Sequence, residues 1–134
     1  MKFQLTLVYF LMSLMSVCQN YSTDYLDRYL DVTEKREATY QRLLAQLDEK
    51  LFEAEILSLE GMLKAKGVYF LEDEELIPHG TFIFFHSNGK KESEGRYNMG
   101  YKVYTWKRYD SSGTEKAPKY YESDLVNIIE SISE

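Results

Sequence analysis

His79 and His86 are the residues of this chain best suited to hold a metal or move a proton. His79 ends the run "EDEELIPH", so Glu72, Asp73, Glu74 and Glu75 could add carboxylate ligands to its imidazole. A metal site wants three or four convergent ligands, and this run has the spacing of neither a zinc nor a calcium loop. It reads instead as a long solvated acidic loop before Gly80, kept irregular by Pro78. His86 beside Ser87 would be a base next to a nucleophile, but strand neighbours point to opposite faces, and Ser87 reads as a turn former. Glu92 and Glu94 share a strand face by their spacing. Acid–base work would need one of them desolvated, and Lys and Ser surround both. The glycines lack the strand–loop–helix context of a phosphate-binding loop. The chain therefore reads as non-catalytic, with no cofactor and no metal.

The elements that carry these residues come from a repeated pattern. "GMLKAKGVY" (Gly61 to Tyr69) aligns with "GKKESEGRY" (Gly89 to Tyr97), each reading Gly, five residues, Gly, one residue, Tyr. "FIFFHSNG" (Phe82 to Gly89) aligns with "WKRYDSSG" (Trp106 to Gly113), each with two aromatics and a polar turn ending in glycine. "SNG", "SSG" and "NMG" supply residues that tolerate positive φ, as tight hairpins require. Phe82, Phe84, Tyr97, Val103 and Trp106 are the predicted core of the intervening strands. Gly67 and Gly95 fall inside strands, where glycine marks a bulge or a close aromatic neighbour. The expected fold is mainly β, an antiparallel meander of hairpins.

The segment "HGTFIFFHSNGKKESEGRYNMGYKVYTWKRYDSSGTEK" resembles the MORN-repeat variant of secreted bacterial proteins, especially of the Bacteroidetes. Gly80, Phe82, Phe85, Gly89, Gly95, Tyr97 and Gly100 match one complete copy of its motif, and Trp106, Tyr109 and Gly113 begin a second. Tyr104 stands where that motif has glycine. "YLDVTEKREATYQRLL" (Tyr29 to Leu44) is similar to the leader region of such proteins. The resemblance implies hairpins stacked into an elongated sheet over residues 51–121, and it implies little about activity.

Two stretches stand apart from the repeat. Residues 19–50 form a leader in which 36–48 reads equally as helix, from Leu43, Leu44, Leu47 and Leu51 at helical spacing, or as strand. From residue 51 the repeat register favours strands despite good helix formers. At 122–134 a short amphipathic helix is expected, with Ser123 as cap and Leu125, Ile128, Ile129 and Ile132 on one face.

Lys2 followed by the apolar run "FQLTLVYFLMSLMSV" is shorter than the roughly 20 apolar residues of a membrane span. Residues 1–18 read as a secretory signal peptide, giving a secreted, periplasmic or envelope protein. Cys18, the only cysteine, has two open fates. Ser16 and Cys18 suit the −3 and −1 positions of signal cleavage, whereas "LMSVC" is similar to a lipobox that would make Cys18 a lipidated membrane anchor.

The formal charge of −6 argues against nucleic acid as a partner. Tyr101, Tyr104, Trp106 and Tyr109 lie close together as aromatic anchors for another protein. The leading expectation is an exported, non-catalytic protein-interaction or envelope scaffold module. The alternatives are a lipid-anchored membrane-associated module and, from labels carried by relatives of the repeat, an antitoxin-like binder.

Overall fold

Polar turns at short intervals leave this chain only one way to satisfy its backbone, by pairing each strand with the next. The computed structural model describes residues 21–121. The signal peptide, Cys18 and the C-terminal helix expected from the sequence lie outside them. The strands are β1 (Tyr21–Leu26), β2 (Tyr40–Gln46), β3 (Leu51–Ser58), β4 (Leu63–Glu72), β5 (Glu75–Phe85), β6 (Lys91–Asn98), β7 (Tyr101–Tyr109) and β8 (Glu115–Tyr121). They form one eight-stranded sheet in sequential order, every neighbour antiparallel. The only helical element described is a single 3-10 turn, Lys35–Glu37.

The leader resolves as strand. β2 is paired along its length by both β1 and β3, and Arg42 and Leu44 bury on one face. Two flanking ladders outweigh the helical propensity of its leucines. Leu47, expected on a helix face, sits exposed in the following turn.

Three hairpins are wired alike. In β3–β4, β5–β6 and β7–β8, the N–H of Ser58, His86 and Asp110 donates to the carbonyl of Met62, Lys90 and Thr114 at 2.7, 2.8 and 2.9 Å. Gly61, Gly89 and Gly113 occupy the same place in each turn, with φ of 94, 85 and 95°. A side chain there would be strained although open space surrounds Gly61 and Gly89. The two intervening hairpins use two-residue turns with positive φ at both positions, Asp73–Glu74 and Met99–Gly100.

That first tight turn corrects the reading of "EDEELIPHG" as a long loop. β4 continues to Glu72, β5 begins at Glu75, and Pro78 pairs with Tyr69 inside the sheet. Proline fits because the β4–β5 register shifts beside it, between Gly67 and Tyr69, where a missing N–H breaks no regular ladder. Its carbonyl accepts from the Gly100 N–H at 2.8 Å.

The core is concentrated on one face. Leu44, Ala54, Gly67, Phe82 and Gly95 are successive partners across β2 to β6, so Phe82 is flanked along the row by two glycines. Phe82 covers Gly67 and Trp106 covers Gly95, each ring occupying the space a Cβ would need. Neighbouring rings then meet edge to face across the strands. Tyr69–Phe82, Phe82–Tyr97, Tyr97–Trp106 and Trp106–Tyr121 have centroids 5.3, 5.0, 5.2 and 6.3 Å apart, inclined by 74° to 83°. Leu26, Ile56 and Ala65 form a second cluster, and Leu30 folds onto it from the β1–β2 connection. The opposite face carries solvated pairs such as Lys66–Glu55 at 2.9 Å.

Candidate functional site

The four aromatics singled out in the sequence do not form one surface. Trp106 is 1% exposed, sandwiched by Tyr97 and Tyr121, with its indole N–H donating to the Arg96 carbonyl at 3.2 Å. It is the core residue that the strand pattern leads one to expect, because Gly95 lets the ring lie down on the sheet, and its burial leaves little of the ring for the partner contact also expected of it. Tyr109 is partly buried, and its hydroxyl donates to Glu94 Oε1 at 3.2 Å. Tyr101 and Tyr104 are 65% and 59% exposed. Tyr120, which sequence reasoning missed, is 78% exposed and lies on β8 opposite Thr105, the residue that follows Tyr104. Alternation along β8 could have identified it, since Tyr121 packs inward against Trp106.

Tyr104 also occupies a conformation that its type disfavours. Its φ of 59° is left-handed, and it sits in the β6–β7 bulge between Arg96–Val103 and Glu94–Lys107. Gly80 takes the corresponding place in the β4–β5 bulge, with φ of 116°. Left-handed backbone costs an L residue roughly 1–2 kcal/mol. An exposed tyrosine is thus held where glycine would be unstrained.

The aromatic face opens into two clefts of different charge. One, about 760 Å³, has Tyr69, Phe82 and Tyr97 along its floor and Asp31, Glu74 and Glu75 among its walls. At its end Arg42, 3% exposed, donates from Nε to Asp24 Oδ1 at 2.9 Å and makes a second contact to Oδ2. The guanidinium carbon also lies 4.6 Å from the Tyr69 ring centre. Burial opposes the Arg42 charge, but the hydrogen bond and charge of Asp24 outweigh it and raise the pKa above its ordinary value. Burial pushes the Tyr97 hydroxyl up to about 12. The Arg42–Asp24 pair was not legible in the sequence, because the partners are 18 residues apart and only the β1–β2 register brings them together.

The second cleft, about 350 Å³, is basic on balance, with Lys102, Arg108, Lys116 and Lys119 around Trp106 and Tyr121 and one carboxylate, Glu92, that is paired with Lys64 at 3.5 Å. Lys102 Nζ stands 4.3 Å from the Trp106 ring centre. Outside this cleft, Lys91 bonds Glu94 at 2.9 Å, and that hydrogen bond lowers the Glu94 pKa.

The histidines are structural in their contacts. His79 Nδ1 accepts the Met99 N–H at 3.1 Å, tying β5 to the β6–β7 turn. His86 Nε2 donates to the Tyr109 carbonyl at 3.0 Å, tying the β5–β6 turn to β7. Asn88 and Lys90 reach the next turn in the same way, donating to the carbonyls of Ser111 and Ser112 at 2.7 and 2.9 Å. Of the other repeat positions, Phe85 lies opposite Lys91 at the start of the β5–β6 hairpin, and Gly100 closes the β6–β7 turn against Ile77. Comparison with family models, curated proteins and solved structures finds no match to this chain.

Proposed function

We propose that this is an exported protein-interaction module, built from MORN-like hairpins, that recognises a partner protein through Tyr101, Tyr104 and Tyr120. The observation that carries the reading is Tyr104, an exposed aromatic kept in left-handed backbone, with a further exposed tyrosine on its own strand, Tyr101, and one on the neighbouring strand, Tyr120. Backbone strain concentrates where a side chain is needed for contact rather than for stability. Tyrosine suits that role, since it presents a broad amphipathic ring with little rotamer entropy to lose. β8, the last strand of the sheet among the described residues, adds an edge that a partner strand can extend. Export rests on the character of residues 1–18, which also leaves a lipid anchor at Cys18 as the means of retention at a membrane.

The test is affinity capture from the envelope fraction of the organism that makes the protein. The wild-type chain is compared with Tyr101→Ala/Tyr104→Gly/Tyr120→Ala and with Lys66→Ala, a solvated position three strands away on β4. The reading expects a protein retained by wild type and Lys66→Ala and lost by the triple variant. Equal retention by a folded triple variant would contradict it. Intact mass of the mature chain separates cleavage after Cys18 from lipidation at Cys18.

A further inference from the structure

The basic cleft contains more positive charge than the described residues neutralise. Lys102, Arg108, Lys116 and Lys119 all line it, and none forms an ion pair with another described residue. The sheet register puts them on the aromatic face. Lys119 pairs with the buried Trp106, Arg108 pairs with Lys116, and Lys102 pairs with Tyr97. In a chain of net charge −6, such a cluster marks a place built for negative charge.

The aromatic face is also covered unevenly. Over its β3–β4 end, Leu30 of the β1–β2 connection packs onto Leu26, Ile56 and Ala65. Over the β6–β8 end, no described residue plays that part. Tyr121 lines the cleft and is followed by residues 122–134, "ESDLVNIIESISE". That stretch carries four acids, Glu122, Asp124, Glu130 and Glu134, and no Lys, Arg or His. Between them stand Leu125, Val126, Ile128, Ile129 and Ile132, matched to the apolar rings in the cleft floor. Reach is not limiting. Thirteen residues span up to about 45 Å at full extension, against roughly 17 Å from Tyr121 back to Lys116 along β8.

We infer that residues 122–134 dock back onto the β6–β8 cleft of their own chain, their carboxylates meeting Lys102, Lys116 and Lys119 and their apolar side chains covering Trp106 and Tyr121. The docked segment completes the core at this end of the sheet. Tyr101, Tyr104 and Tyr120 do not line this cleft, so the inference holds whether or not these tyrosines bind a partner.

Carbodiimide coupling of the intact chain tests this directly, because the reagent condenses a lysine amine with a nearby carboxylate to an amide and takes up the water lost. Lys66 and Glu55, 2.9 Å apart on the opposite face, provide an internal control for folded protein. Peptide mapping of the monomeric product is expected to join Lys102, Lys116 or Lys119 to Asp124, Glu130 or Glu134. In Lys116→Glu/Lys119→Glu, the links from Lys102 should fall about tenfold, as several half-exposed ion pairs become repulsive. The Lys66–Glu55 link should persist in that variant. Three results would overturn the inference: control links without tail links, tail links equally to lysines outside the cleft, or tail links confined to covalent dimers.

Discussion

Trp106 lies on Gly95 so closely that a Cβ on that glycine would sit 2.3 Å from the indole Cδ2. Gly67 and Phe82 repeat the relationship two strands away, at 2.4 Å. Both rings belong to the main core cluster, so these contacts set how tightly the aromatic ladder meets the backbone.

Gly95→Ala should therefore destabilise the fold by about 3 kcal/mol, the upper end of an overpacking cost. Gly67→Ala should behave alike. Gly61→Ala, which meets no atom but has φ of 94°, should cost only about 1–2 kcal/mol. Denaturant melts of the three variants check the order. Combining Gly95→Ala with Trp106→Leu should recover part of the loss, since the methyl then has space, and the double-mutant cycle reads that coupling.

The spacing of these glycines was legible in the sequence because turn and close-approach positions admit few other residues. Gly61, Gly89, Gly95 and Gly113 hold their expected turn and strand places for that reason. The leader was less legible. Leu43, Leu44 and Leu47 satisfy a helical spacing, and only pairing with β1 and β3 makes the segment a strand. Acidic character concealed the Asp73–Glu74 turn, since Asp tolerates the left-handed region but Glu, which follows it there, does not ordinarily adopt it. Trp106 carried both a core and a partner-binding expectation, because proximity in sequence does not reveal which ring lies over a glycine, and its burial bears out the core one.

Arg42 is buried with Asp24 as its carboxylate partner. Asp24→Ala should cost about 3 kcal/mol, because the guanidinium is left without its compensating charge. Replacing both partners in Asp24→Leu/Arg42→Met should cost much less than the single change. Thermal or urea unfolding of the three variants provides the comparison.

Tyr97 links stability to alkaline pH. Its folded pKa, about 12, is above its ordinary value of 10. The folded state therefore holds this proton more tightly, and the stabilisation is complete below about pH 10 and is lost as pH rises towards 12. Unfolding free energy should fall over that window in wild type and less steeply in Tyr97→Phe. Absorbance titration should show one high-pH tyrosinate step missing from the variant.

Tyr104 separates stability from recognition. Tyr104→Gly should raise stability by about 1 kcal/mol, since glycine accepts the left-handed backbone without strain. Gly80→Ala, at the corresponding bulge with φ of 116°, should lower it by a similar amount. Chemical denaturation checks both signs.

The most direct measurement of the recognition claim is a binding titration of the captured partner against wild type and Tyr104→Gly. The account predicts a more stable variant that binds at least about tenfold more weakly, as expected for an aromatic anchor removed from a contact. Equal affinity, in a variant that has gained stability, would contradict it.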